Sequence, residues 1–177
     1  MANPVAEPVD EHRWGLGRFL TVAVVLVLVV FWIWVFTGGP EKKNPDYLKD
    51  RDWAKAAEAT CAATQEQIKA LPGAETSPDN VARAKVVDQA NDLIEAMLDH
   101  LRLPPPDNAG DARLVKVWLV DYHDYLTSRR EYAAKLATDR QARLLLNEKF
   151  SQPIDDVITT FADVNHLQDC EAPGDVG

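Results

Sequence analysis

Glycine is scarce in the body of this chain. Of eight glycines in 177 residues, Gly15, Gly17, Gly38 and Gly39 flank one apolar run, and Gly174 and Gly177 close the chain. No glycine-rich loop remains to cradle a phosphate, and no Gly-x-Ser-x-Gly turn presents a nucleophilic serine. Basic runs are missing too: none is longer than Lys42-Lys43 or Arg129-Arg130. The formal net charge is −9, and setting aside Arg13, Arg18, Glu7, Asp10 and Glu11 leaves 17 basic and 25 acidic side chains from Glu41 onward. Such a domain repels phosphate backbones and anionic headgroups, so no nucleic-acid binding or polybasic membrane contact is expected. No segment alternates apolar and polar residues between Asn-Gly or Asp-Gly turns, which argues against a β fold.

Metal-ligand spacing is equally thin. A di-metal site in a helical bundle needs Glu-x-x-His motifs on two helices, and the chain has none. The nearest match, Asp163-x-x-His166, is one carboxylate–imidazole pair on a single turn and reads better as a solvated or capping pair. Asp121, His123 and Asp124 are close in sequence but point in different directions on a helix. The two cysteines, Cys61 and Cys170, pair more naturally with each other than with a catalytic base. No enzyme, cofactor or metal is expected.

What is present is a long apolar run. From Phe19 to Phe36 the chain reads FLTVAVVLVLVVFWIWVF, uncharged and with Thr21 its one polar residue. A bilayer core of ~30 Å needs about 20 apolar residues at ~1.5 Å rise each. Trp14 before the run and Trp32 and Trp34 near its end suit the headgroup boundary. The run exceeds the ~7–15 residues of a signal-peptide core and is too long and unbroken for a core helix of a domain this size. It reads as an uncleaved, passive single-pass anchor over 19–37, after a short tail over 1–18 and before a hinge over 38–45 broken by Gly38-Gly39-Pro40 and Asn44-Pro45.

Sidedness draws on two conflicting signals. Lys42, Lys43, Lys49 and Arg51 follow the anchor and only Arg13 and Arg18 precede it, which by the positive-inside rule puts the domain in the cytoplasm. That rule weakens for long translocated segments. An even pair of cysteines, one near each end of the domain, has the form of a single stapling disulfide, which persists outside the cytoplasm; two unrelated buried thiols are the plainer alternative. The cysteines decide it: the domain is expected on the extracytoplasmic side of a cell membrane.

Four helices of similar length are expected over 46–170, followed by a flexible tail over 171–177. The first runs from about Asp46 to Ala70 with Trp53, Ala57, Thr60, Thr64, Ile68 and Leu71 on one stripe. The second starts with Ser77 as N-cap and Pro78 at the first helical position, and carries Val87, Ala90, Ile94, Met97 and Leu101. Leu103-Pro104-Pro105-Pro106 ends it. The third begins near Asp111; with no Gly or Pro before Ser151, a break is placed at Thr138, where Thr138-Asp139-Arg140-Gln141 has capping-box form. The fourth holds Leu145, is kinked or restarted by Pro153, and continues through Ile154, Val157, Ile158, Phe161 and Val164. The fold class is therefore all-α: a transmembrane helix followed by an up-down four-helix bundle with a Cys61–Cys170 bond.

The third helix sets Arg129 in a stripe of Trp118, Tyr122, Tyr125 and Tyr132. Aromatic residues at helical spacing are most often core, with a buried or boundary arginine paired with a bundle aspartate. They could instead form a ligand or partner surface, with Arg129 and tyrosine hydroxyls holding a small anion or a partner's carboxylate. On architecture alone the chain resembles bacterial envelope proteins. The expected function is a non-enzymatic accessory or scaffold subunit docking on a membrane or envelope complex; the alternative is a small-ligand-binding or sensor-like bundle centred on Arg129.

Overall fold

The computed structural model describes residues 15–36 and 44–174; Trp14, most of the expected hinge and residues 175–177 lie outside them. The chain divides into two compact units, 1–43 and 44–177.

In the first unit, α1 (Leu16–Phe36) is one unbroken helix. Its span Gly17–Phe36 is 20 residues long, apolar enough to cross a membrane, and none of it is buried in the fold. At ~1.5 Å per residue that is about 30 Å, one hydrocarbon thickness. Thr21 donates its hydroxyl to the Gly17 carbonyl (2.9 Å), so the one polar side chain of the run is satisfied within the helix. Aromatic rings gather at the C-terminal end, where Trp32 stacks on Phe36 at 5.6 Å.

The second unit is built on α2 (Arg51–Lys69), α3 (Asn80–Leu101), α4 (Ala109–Leu136) and α5 (Ile154–Asn165). Each long helix starts on a side-chain cap. Asp50 accepts the Trp53 amide (2.9 Å), Asp79 the Ala82 amide (2.8 Å) and Asn108 the Asp111 amide (2.8 Å). Three starts differ from expectation: α2 begins at Arg51 on its Asp50 cap, five residues after the expected Asp46. Asp79, not Ser77, caps α3, because Ser77 closes a short 3₁₀ turn, its amide donating to the Ala74 carbonyl and its hydroxyl to that of Gly73. Asn108 starts α4 ahead of Asp111.

The stripes on α3 and α4 fall inside as read, and Val87, Ala90, Ile94, Met97 and Leu101 are all buried. On α2 the buried row is Ala54, Ala57, Cys61, Thr64 and Ile68, so Trp53 and Thr60 sit beside it.

The largest correction concerns the fourth helix. Chain order gives helices of 19, 22, 28 and 12 residues, not four near-equal ones. α4 does stop before Thr138, but Thr138 finishes it, donating its hydroxyl to the Lys135 carbonyl (3.1 Å), and starts nothing new. Beyond it a turn closes with the Ala142 amide on the Asp139 carbonyl (3.1 Å), and 142–147 has no regular secondary structure. Ala142, Leu144 and Leu146 are half-buried while Gln141, Arg143 and Leu145 are exposed, a period of two that no helix can satisfy. A small hairpin follows, pairing Glu148 with Pro153 and Lys149 with Gln152 across β1 (Glu148–Lys149) and β2 (Gln152–Pro153). Pro153 then restarts the chain as α5, whose first turn carries Asp155 and Asp156 against the positive helix end.

Cross-links between elements are polar and specific. At one end Lys49 and Asp50 donate their amides to Asp111 Oδ2 (2.7 and 2.8 Å), and Asp107 donates its own to Asp50 Oδ2 (2.9 Å). There too the buried Asn165 accepts the Leu48 amide (2.7 Å) and donates to the Asp46 carbonyl (3.0 Å). At the other end Asn80 Nδ2 donates to the Leu136 and Ala137 carbonyls (2.9 Å each). The Cys61–Cys170 disulfide is present and fully buried, closing a sequence separation of 109 residues.

Candidate functional site

The row Trp118, Tyr122, Tyr125 and Arg129 lies on the buried face of α4 and is closed to solvent. Trp118 stacks on Phe161 (5.2 Å), meets Tyr122 edge-on (5.4 Å), and donates its indole N–H to the Ile158 carbonyl (3.3 Å). Tyr122 donates to the Cys170 and Glu171 carbonyls (3.1 and 2.9 Å). Burial, with Tyr125 adding to it, pushes the Tyr122 hydroxyl far above its usual range, so it stays a proton donor. Tyr125 donates to the Pro173 carbonyl. Tyr132 belongs to a separate small cluster with Ala84, Val87, Ala133 and Leu136.

Arg129 is 1% exposed. Its Nε donates to Asn91 Oδ1 (2.8 Å), and its Nη1 reaches Tyr125 Oη (3.1 Å) and the carbonyls of Pro173 (3.2 Å) and Gly174 (2.7 Å). Arg129 Nη2 and Asn91 Nδ2 are buried without a hydrogen-bond partner among the described residues. The guanidinium thus serves the C-terminal segment and not the expected bundle aspartate: residues 171–174, expected to begin a free tail, are bound along α4 by Tyr122, Tyr125 and Arg129. Its neighbour Arg130 faces outward and meets carboxylates instead, Glu95 at 2.6 Å, Asp92 at 2.9 Å and Asp88 at 3.9 Å.

Sequence reasoning missed what lies on the outer face of α4. Val117 and Val120 are exposed there, and so is Phe150, 83% exposed at the hairpin tip. Phe150 and Ser151 have φ of 56° and 62°, the left-handed region that side chains of this size disfavour. The turn is pinned from below. Lys149 Nζ donates to both oxygens of the buried Asp121 (2.6 and 2.7 Å), and Asn147 Nδ2 donates to Asp124 Oδ1 (2.7 Å). The signal was legible in part: Lys116, Val117 and Val120 lie off the Trp118–Tyr122–Tyr125 stripe, so valines at 117 and 120 had to face elsewhere.

Two cavities open on this face, and another lies beyond the proline loop. One of about 350 Å³ lies between α4, the hairpin and α5, with Val117, Phe150 and Val157 in its wall. One of about 380 Å³ lies under the proline loop against the outer side of α4, and one of about 490 Å³ lies on the other side of that loop against α2. Of the histidines, His123 lines the second cavity and His100 the third. Asp163 and His166 are exposed at the end of α5, where the His166 ring meets Tyr47 edge-on at 6.4 Å. No group of three His, Cys, Asp or Glu among the described residues is arranged to hold a metal ion. No protein-family model, curated protein or solved structure matches the chain.

Proposed function

We propose that this chain is a non-enzymatic accessory subunit, tethered by α1 and docking on a membrane-protein or envelope partner through the outer face of α4 and the hairpin tip. The observation that carries the reading is Phe150. A non-glycine residue in the left-handed region costs about 1–2 kcal/mol, and a large apolar side chain left in water gains nothing from folding. The Lys149–Asp121 pair nevertheless holds that turn in place beside exposed Val117. A rigidly displayed aromatic ring on an apolar patch is what a partner's hydrophobic groove takes up.

The helical unit then reads as an up-down four-helix bundle with α5 as its short member. The end-to-end bonds favour this, since the starts of α2 and α4 and the ends of α3 and α5 meet at one end. The disulfide favours the extracytoplasmic side of the membrane. A small anion held by Arg129 is less well supported, because the guanidinium is closed to solvent and its Nε and Nη1 already serve Asn91, Tyr125 and the Pro173 and Gly174 carbonyls.

The test is extraction of the full chain from native membranes in mild detergent, with a photo-crosslinking residue at position 150 or, as control, at position 95. Stoichiometric co-migration with an integral membrane assembly, crosslinking from 150 but not 95, and loss of both in Phe150→Asp at unchanged thermal stability are expected. Wild-type protein that migrates alone and crosslinks to nothing would sink the reading.

A further inference from the structure

The cavity under the proline loop differs chemically from the rest of its unit. Leu101, Val115, Leu119 and Val120 with Pro105 and Pro106 form its apolar wall, and its polar groups are Arg102, Lys116 and His123. No carboxylate lines it, although acids outnumber bases 25 to 17 from Glu41 onward. Across the loop the neighbouring cavity has the opposite sign, with Asp50, Asp52 and Asp107 in its wall. Within one acidic unit, the proline loop separates an apolar basic hollow from an acidic one.

The basic groups converge by helix geometry. Lys116, Val120 and His123 follow i, i+4, i+7 on α4, so they share one face and put the ammonium, an apolar wall and the imidazole in line. Arg102 comes from the end of α3, and its Nη2 meets His123 Nε2 at the rim of the cavity. The other partner of Arg102 is Asp99, an exposed i,i+3 pair at 3.6 Å, which screens it little. Lys116 has no ion-pair partner among the described residues.

From this we infer that the cavity is a binding site for a small apolar carboxylate. The carboxylate accepts charge-assisted hydrogen bonds from Lys116 and Arg102, and the apolar body lies against Leu101, Val115 and Leu119. The hollow, about 380 Å³, falls in the roughly 300–1,000 Å³ range of small-molecule sites. A bare inorganic anion leaves the apolar wall unused, and a neutral molecule of the same shape leaves the two cations unanswered.

The test uses the full chain in nanodiscs, with empty nanodiscs subtracted, and titrates 4-phenylbutyrate by calorimetry. The matched probes are 4-phenylbutan-1-ol, which keeps the apolar body, and butyrate, which keeps the charge. Saturable one-site binding of 4-phenylbutyrate is expected, with each control at least tenfold weaker. Lys116→Gln, at an exposed position that leaves the core intact, weakens the acid at least tenfold and leaves the alcohol unchanged; Val120→Asp weakens both acid and alcohol. No saturable binding by the wild type overturns the inference. So does equal affinity for acid and alcohol, or a Lys116→Gln variant that binds the acid as the wild type does. No partner protein is needed, so this result stands apart from the docking test.

Discussion

Two stretches without long helices, 137–153 and 166–174, are held in opposite ways. The C-terminal one is polar, short and interrupted by Pro173 and Gly174, yet it is tied down by the disulfide, by Tyr122, Tyr125 and Arg129, and by Glu58, which accepts the Asp169 amide (3.2 Å). The other stretch contains three consecutive leucines and a phenylalanine, yet Leu145 and Phe150 are 71% and 83% exposed. Apolar content therefore does not decide which segment is buried. What decides is whether the backbone's own carbonyls and amides find donors and acceptors on a helix already in place.

Breaking the better-tied segment should give the largest effect. Replacing Cys61 and Cys170 by serine removes a constraint on about 110 residues and should lower unfolding stability by roughly 4–5 kcal/mol in the chain-entropy account. Denaturant titration of the full chain measures this; a loss under about 1 kcal/mol would mean the bond merely decorates a segment held by other contacts.

Arginines 129 and 130 sharpen the contrast within one turn. Arg129→Met should cost about 2–4 kcal/mol, because Asn91 and the Pro173 and Gly174 carbonyls lose a charged donor in a buried site. Amide exchange of Ala172 and Gly174 should rise with it. Arg130→Met removes a partly exposed network and should cost under about 1 kcal/mol. Equal costs for the two would break the comparison.

Asp111 ties the opposite end, and its effect depends on pH. Burial by itself would raise its carboxyl, but the Asp50 amide, the Asn108 side chain and the Lys49 amide and charge together hold it below the usual carboxylate range. Because the folded value is depressed, its contribution is complete above the unfolded value near ~3.9 and is lost as pH falls through the folded one. Asp111→Asn should therefore be less stable at pH 7 by about 1.5–3 kcal/mol, and the gap from wild type should close on acidification. A gap that stays constant down to pH 2 would remove the carboxylate from the account.

The smallest change should have the opposite sign. Phe150→Gly relieves a left-handed residue and exposes no core, so stability should rise by up to about 1 kcal/mol. A clear loss in thermal unfolding would show that Phe150 is packed, and the hairpin would cease to be the displayed segment.

Much of the fold was legible because helical burial repeats locally. The stripe from Val87 to Leu101 and the one from Trp118 to Leu136 are read off spacing alone, and both are inside. The stretch after Thr138 was misread because its burial alternates every second residue over only six residues, from Gln141 to Leu146, too short to outweigh an expectation of four equal helices. The role of Arg129 was half legible. Its burial followed from its stripe, but its acceptors are Asn91, 38 residues away, and Gly174, 45 residues away.

By itself the sequence determined the apolar run from Phe19 to Phe36 and the inward faces of α3 and α4, and its count of two cysteines pointed to the bond that the fold contains. Each depends on composition, on a period along one element, or on a count. Only the tertiary structure decided that carbonyls answer Arg129, that Phe150 is held out in water, and that one proline loop separates a basic hollow from an acidic one. The reason is physical: periodicity tells a side chain which way to face, whereas what it meets there depends on elements brought together from distant parts of the chain.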